Sequence, residues 1–256
     1  MIGIFDSGVG GLSVFREIRK LLPEEKYIYF SDSAHCPYGE KSREYIINRS
    51  REISTFLMER GARVIVVACN TATAAAIETL RNEFPIHFIG MEPAVKPAVR
   101  CTSTGVVGVL ATAGTLKAEK YMDTRSRWAQ DVTIVEHIGK GFVELVEKGM
   151  LTGPVAESAI RESLSPLLEA GADTIVLGCT HYPFLTETIR KTASVLVPER
   201  EVKIIDPAPA VARHLLEVIQ EEGLTGEDQG GFSIELHSSG DPATLMELYD
   251  RLTSVG

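Results

Sequence analysis

Two cysteines stand where a chain of this kind can do acid–base chemistry. Cys69 follows the apolar run Val64-Ile65-Val66-Val67-Ala68, and Cys179 follows Thr174-Ile175-Val176-Leu177-Gly178. Each run is short and rich in β-branched residues, the pattern of a strand buried on both faces in a parallel sheet. Gly61-Ala62 introduces the first run and Gly171-Ala172 the second, so the chain carries one stretch twice. Asn70 and Thr71 follow the first thiol; Thr180 and His181 follow the second. Pro183 falls where the first turn of a helix tolerates proline. Both cysteines are therefore expected at the carboxyl end of a strand, just before a helix N-terminus. Open α/β sheets bind ligands there, and the positive end of the helix dipole favours a thiolate.

One such thiol would suggest a nucleophile. Two, from equivalent halves, suggest a base and an acid on opposite sides of a bound molecule. Such a pair removes a proton from one face of a carbon and returns one to the other. The product is the mirror image, and no cofactor is required. The carbanion then needs hydrogen bonds from backbone N–H groups and from Asn70, Thr71, Thr180 or Ser7. Either cysteine alone reads more readily as a small buried apolar residue; their shared position points to chemistry. Plainer roles also stay open for the neighbours. Asp6 suits a helix cap, His181 a histidine satisfying a backbone carbonyl, and Glu147 a solvated helix residue.

The elements that position these residues alternate between strand and helix. A first strand at 2–5 leads into the turn Asp6-Ser7-Gly8-Val9-Gly10-Gly11 and a helix for which Ser13 is the expected cap. The glycines allow close backbone approach to a ligand. They form no dinucleotide fingerprint, because its third glycine would fall at Ser13, and no P-loop lysine follows. A strand at 27–30 precedes the loop 32–42, where Pro37 and Gly39 hold the turn and Tyr38 offers a hydroxyl. Ser42 caps a long helix ending near Gly61. His35-Cys36 has no partner at metal-ligand spacing, so no metal site is read there. An alanine-rich helix is expected at 72–82 and a short strand within 85–91, and Glu92 to Pro97 reads as a change of direction between domains. Further strands are expected at 105–110, 132–136, 174–177, 202–205 and 232–236. Helices are expected at 142–148, stopped by Gly149, and at 155–170, 208–222 and 242–252, with a polar loop at 223–231. Gly3-Ile4-Phe5-Asp6-Ser7-Gly8 is loosely echoed by Gly108-Val109-Leu110-Ala111-Thr112-Ala113-Gly114, at nearly the interval that separates the two cysteines. A duplicated α/β unit with mainly parallel sheets follows.

Composition narrows the function classes. The chain has 256 residues, 44% of them hydrophobic, and a formal net charge of -9. Length fits one large or two small α/β domains. The charge speaks against a nucleic-acid or membrane-surface role. No apolar run approaches the roughly 20 residues that span a bilayer. The chain enters a strand at once, without a secretory leader, so a cytoplasmic location is expected. Cys36, Cys69, Cys101 and Cys179 are then reduced thiols.

Four blocks carry a family resemblance. They are Gly3-Ile4-Phe5-Asp6-Ser7-Gly8-Val9-Gly10-Gly11-Leu12-Ser13-Val14, Pro37-Tyr38-Gly39-Glu40-Lys41-Ser42, Ala68-Cys69-Asn70-Thr71-Ala72-Thr73 and Leu177-Gly178-Cys179-Thr180-His181-Tyr182-Pro183. In that order they resemble the glutamate racemase family, within the aspartate/glutamate racemase superfamily. The resemblance implies cofactor-independent interconversion of L- and D-glutamate, the latter a peptidoglycan precursor. Cys69 matches the thiol that works on the D-enantiomer, and Cys179 the one that works on the L-enantiomer. Asp6 matches a carboxylate beside the first thiol. His181 and, in Leu145-Val146-Glu147-Lys148-Gly149, Glu147 match groups beside the second. Asp6, Ser7, Pro37, Tyr38, Gly39, Asn70, Thr71, Thr180 and His181 match substrate-binding positions, joined by Thr112 and Thr115. The implied fold is two pseudo-symmetric flavodoxin-like α/β domains with mainly parallel sheets, residues 1–95 plus 208–256 and residues 96–207, with the active site in the cleft between them. A homodimer is implied; no metal, cofactor, nucleic acid or membrane is. His35-Cys36 departs from the arginine that many members carry before the Pro-Tyr-Gly turn, which leaves the part played by that loop's side chains open. Three competing readings are a racemase of aspartate, a hydantoin or another small acid, a hydrolase or transferase using one cysteine as nucleophile, and a non-catalytic binding protein on the same fold.

Overall fold

The computed structural model describes residues 1–91, 94–130, 132–224 and 231–254. In chain order the elements are β1 (Ile2–Asp6), α1 (Leu12–Leu21), β2 (Lys26–Ser31), α2 (Arg43–Glu59), β3 (Val64–Val67), α3 (Asn70–Glu83), β4 (His87–Gly90), α4 (Val95–Cys101), β5 (Val106–Ala111), α5 (Ala113–Lys117), α6 (Glu119–Trp128), β6 (Thr133–Ile138), α7 (Phe142–Glu147), α8 (Pro154–Glu169), β7 (Thr174–Gly178), α9 (Thr186–Leu196), β8 (Lys203–Ile205), α10 (Ala208–Glu221), β9 (Ser233–Ser238) and α11 (Pro242–Thr253). They form two compact units, Met1–Met91 with Ala208–Gly256 and Glu92–Pro207. Among the described residues, no helix is long and apolar enough to cross a membrane.

Each unit is an α/β layer structure around one sheet. The first sheet has the order β4-β3-β1-β2-β9 and the second β6-β5-β7-β8. Every described pairing is parallel. Read backwards, the second is β8-β7-β5-β6, the same order as β4-β3-β1-β2. So β5 takes the place of β1, and β7 that of β3. Both follow the flavodoxin-like order second-first-third-fourth, with β9 added beside β2 in the first unit. The repeated apolar run thus occupies the same strand twice. In each sheet the order reverses between the first and third strands, the point where such sheets open a ligand crevice.

Burial explains the pattern. All four residues of β3 and all five of β7 are buried. The first core packs Phe5, Ile28, Ile65 and Val67 against Ile53 and Leu57 of α2 and Ala72, Ala76 and Leu80 of α3. The second packs Val107, Val109, Ala111 and Val176 against Val95 and Ala98 of α4 and Tyr121 of α6.

Several elements differ from expectation. α1 begins at Leu12, and Ser13 lies inside its first turn, donating to the Gly10 carbonyl at 2.8 Å instead of capping. Asp6 takes the backbone N–H of Gly11 that opens this helix. α3 begins at Asn70 rather than 72, because the Cys69 sulfur accepts the Ala72 N–H at 3.4 Å and makes Cys69 the cap. Cys179 does not directly precede an α-helix. The Tyr182 N–H donates to the Cys179 carbonyl and the Phe184 N–H to that of His181, tightening Tyr182–Leu185 into a 3-10 turn before α9. α4, α5 and α6 were not expected. Pro97 hides α4, although its missing N–H is harmless in a first turn. α5 is one short turn, and α6 has a single buried residue, Tyr121. The crossover read at Glu92 to Pro97 lies partly outside the described residues, as does the polar loop read at 223–231.

Asp173 fixes the entry into β7. Its buried carboxylate accepts the Thr102 hydroxyl at 2.6 Å, the Ser103 and Thr104 N–H groups at 2.6 and 3.0 Å, and the Thr174 hydroxyl at 3.1 Å. Burial works to raise its pKa, but these donors outweigh burial and hold it below the ordinary aspartate value. A depressed native pKa stabilises the fold above the unfolded-state value of about 3.9, and that contribution is lost as pH falls through the native value. Asp173→Asn should lower unfolding free energy by about 1–3 kcal/mol at pH 7, as expected for buried donors left unmatched. In urea melts run from pH 7 downward, the gap to wild type should close below about pH 4.

Candidate active site

The first unit gathers Asp6, Ser7 and Cys69 at the carboxyl ends of β1 and β3. Asp6 closes β1 and is fully buried. Its Oδ2 accepts the Gly11 N–H at 2.8 Å and its Oδ1 the Ser7 hydroxyl at 3.4 Å. The Cys69 thiol reaches the Ser7 Oγ at 3.8 Å as donor. Thiol, hydroxyl and carboxylate therefore form one directed chain. The turn that carries Ser7 is held from β2, where the Tyr29 hydroxyl donates to the Gly8 carbonyl at 2.8 Å. Only glycine fits at position 11: a Cβ there would sit 2.8 Å from the Asp6 Cβ and 2.9 Å from the Tyr29 Oη.

Cys69 caps α3, a helix of 14 residues, so an anionic sulfur there faces the positive end of the helix dipole. Asn70 and Thr71 are buried in the first turn of that helix. Among the described residues neither carboxamide atom of Asn70 has a hydrogen-bond partner. A buried polar group left so costs about 1–3 kcal/mol, which a polar ligand offsets.

Pro37, Tyr38 and Gly39 lie in the turn before α2, and Tyr38 begins a 3-10 turn, Tyr38–Glu40. The Tyr38 ring belongs to the same core cluster as Cys69 and Ala72. Its hydroxyl donates to Asp32 Oδ2 at 2.5 Å. Burial, then the Asp32 charge and hydrogen bond, push the phenol pKa far above its ordinary value, so Tyr38 stays neutral.

The second unit gathers Cys179, His181 and Glu147. The Cys179 sulfur lies 3.8 Å from His181 Nδ1, and His181 Nε2 lies 2.6 Å from Glu147 Oε1. A carboxylate only accepts, so with Glu147 ionised Nε2 is the donor of this pair, and a ring carrying its one hydrogen there faces Cys179 with the Nδ1 lone pair. Glu147 ends α7, and α7 is docked on the turn after β7. Phe142 packs edge-on to Tyr182 with centroids 5.0 Å apart, and the Tyr182 hydroxyl donates to the Gly139 carbonyl at 3.3 Å. Burial, reinforced by Cys179, raises the Tyr182 pKa well above its ordinary value and keeps it a neutral donor. Thr180 is buried beside Cys179.

Thr112 and Thr115 sit at the end of β5, the strand equivalent to β1. Thr112 caps α5 by accepting the Thr115 N–H at 3.2 Å, and the two hydroxyls are 3.0 Å apart. Their link to the Cys179 strand is the pairing of Ala111 with Gly178.

The sequence reading missed Tyr29, Asp32 and Arg49. Asp32 is fully buried just past β2, and Arg49 of α2 clasps it through Nε at 3.0 Å and Nη2 at 2.7 Å. An aspartate directly after a strand was the available signal for Asp32; no spacing pointed to Arg49.

The chain is similar to known proteins in sequence and in fold. Residues 2–215 match the family model described as Asp/Glu/Hydantoin racemase. A glutamate racemase of Herpetosiphon aurantiacus is 48% identical over 247 residues, covering 96% of this chain and 95% of that protein. The crystal structure of the RacE1 isoform of glutamate racemase from Bacillus anthracis is similar with a TM-score of 0.87 at 30% identity, covering 99% of this chain and 94% of that one. The Escherichia coli glutamate racemase, in complex with L-glutamate and the activator UDP-MurNAc-Ala, is similar with a TM-score of 0.86 at 36% identity, covering 98% and 94%.

The tight fit at Gly11 yields a stability test. Gly11→Ala should destabilise the chain by about 1–3 kcal/mol, the usual cost of overpacking, read as a lower urea midpoint with an unchanged slope.

Proposed function

Because this chain belongs to the Asp/Glu/Hydantoin racemase family and, within it, to the glutamate racemases, we propose that it interconverts L- and D-glutamate by proton transfer between two thiols, Cys69 and Cys179, without a cofactor. The observation that carries this reading is the matched placement of the thiols. Each follows the third strand of its sheet, and each begins a hydrogen-bonded chain that ends on a carboxylate, Cys69–Ser7–Asp6 and Cys179–His181–Glu147.

In the L-to-D direction the Cys179 thiolate takes the α-hydrogen of L-glutamate as a proton. The Cα–H bond breaks, an S–H bond forms, and the electron pair stays on the carbon and its carboxylate. The Cys69 thiol then gives its proton to the opposite face of Cα and becomes the thiolate. The D-to-L direction runs in reverse. One turnover leaves the two thiols with exchanged protonation, and the two side-chain relays provide routes for resetting it. His181 Nδ1 is suited to share the proton of Cys179, and Ser7 with Asp6 that of Cys69.

The substrate carboxylates suit the N–H groups at the start of α3, the main chain of the Pro37-Tyr38-Gly39 turn and the hydroxyls of Ser7, Thr71, Thr112, Thr115 and Thr180. The Asn70 carboxamide, without a partner among the described residues, suits one more polar group of the ligand. L-glutamate, as held by the Escherichia coli relative, is the substrate carried over here. The same reading includes a homodimer, a cytoplasmic location and supply of D-glutamate for peptidoglycan, as the sequence resemblance implies.

Incubation of either enantiomer with the protein in deuterated water should place deuterium at Cα as optical activity decays, with no added metal, pyridoxal phosphate or nucleotide. Cys69→Ala and Cys179→Ala should each lower racemisation by at least roughly 10²–10⁴-fold, the usual worth of a positioned acid or base. Racemisation persisting in either variant would refute the two-thiol mechanism. His181→Asn and Asp6→Asn should cut kcat more than they raise KM.

A further inference from the structure

Asp32 and Arg49 lie outside every role assigned so far, yet they form a hydrogen-bonded cluster around one fully buried carboxylate, joined through Tyr38 to the core cluster that holds Cys69. The Asp32 carboxylate is fully buried and accepts from the Arg49 guanidinium at two points, from the Tyr38 hydroxyl and from Ser239. Burial alone would raise the Asp32 pKa, but the Arg49 hydrogen bonds, those from Tyr38 and Ser239, and the Arg49 charge outweigh it and hold the group ionised. Arg49 is anchored in turn by Glu52, one turn further along α2. The Asp32 N–H donates to the Asp6 carbonyl at 2.9 Å, so the cluster is tied to β1 where Asp6 ends it.

A buried ion pair is an expensive way to gain stability, since its desolvation offsets most of its attraction. What it fixes is position. Here Asp32 fixes Tyr38 directly and Arg49 fixes Asp32, and the Tyr38 ring belongs to the same core cluster as Cys69 and Ala72.

We infer that Asp32 and Arg49 are positioning residues for glutamate racemisation, which set the Tyr38–Gly39 turn against the Cys69 thiol by capturing the Tyr38 hydroxyl. The inference rests on the proposal that this turn binds substrate. Asp32 holds the phenol proton, and Arg49 holds Asp32 in the acceptor state and in one orientation. The turn is thereby kept from swinging with the ring, and its main chain stays aimed at the ligand. Lysine in place of Arg49 keeps the charge but loses the two-point clasp.

The test compares Asp32→Asn, Arg49→Lys and Tyr38→Phe with wild type. It measures kcat and KM for both enantiomers, the Kd of glutamate by calorimetry and the urea midpoint. Tyr38→Phe and Asp32→Asn should raise KM and Kd by about tenfold or more, with a smaller fall in kcat, and Arg49→Lys should lie between them and wild type. A merely structural cluster would lower the urea midpoint and leave KM and Kd of the folded protein unchanged, which overturns the inference. If Asp32→Asn does not fold, Tyr38→Phe decides, because it keeps the packed ring and removes only the hydroxyl. A wild type that binds glutamate without racemising it counts against the two-thiol reaction, and the Kd comparison still decides this inference.

Discussion

Parallel pairing of a first strand with both its second and its third is the constraint from which the rest of each unit follows. Parallel neighbours cannot be joined by a hairpin, so the chain must cross over and return to the same starting edge. All strands then end at one edge, and every strand-to-helix turn emerges there. The strand interiors are apolar because helices cover both faces. Polar side chains gather at and just past the strand ends: Asp6 and Ser7, Asp32, and Cys69 in one unit, Thr112 and Cys179 in the other, with Glu147 of α7 brought to the second. The crevice opens where the second and third strands diverge on either side of the first, so the residues after the first and third strands are the ones brought together.

Repeating this topology repeats the place of a thiol but not its surroundings. Cys69 caps a long helix, where a negative charge is favoured by roughly 0.3–1 kcal/mol, and more when partly buried. Cys179 is separated from α9 by a 3-10 turn, which removes it from that helix's dipole. It has instead an imidazole at its side, oriented by a carboxylate. Beside Cys69 stands a hydroxyl, that of Ser7, and beside Cys179 an imidazole, that of His181. The two halves hold the same element at the same point in different surroundings, a helix cap in one and a 3-10 turn in the other.

Much of this was legible in the sequence. The buried strands announced themselves as short β-branched runs, and the repeated run located both thiols at strand ends. The grouping of His181 with Glu147 was not legible from spacing, because α7 meets the turn after β7 through tertiary contacts such as the packing of Phe142 on Tyr182. It came from the family resemblance. Ser13 was misread because a serine near a helix start resembles a cap, while Asp6, five residues before Gly11, supplies the bond. α4 and α6 escaped notice because a proline and a mostly charged surface conceal their periodicity. The grouping of Tyr38 with Asp32 and Arg49 was not legible either, since no local pattern links Tyr38 to Asp32 or Asp32 to Arg49.

Chain order carries a further consequence for how the protein is made. The first unit is finished by α10, β9 and α11, which follow the entire second unit in sequence. Until they emerge from the ribosome, β2 is an open sheet edge, and α1 lacks α10, the Tyr249 ring beside Phe15 and the Phe232 ring beneath Arg19. The second unit has all its strands by then and is free to fold as an insertion. The first half of the nascent chain must wait with an unpaired edge and an uncovered apolar helix face, the kind of surface that chaperones shield and that aggregates when they do not.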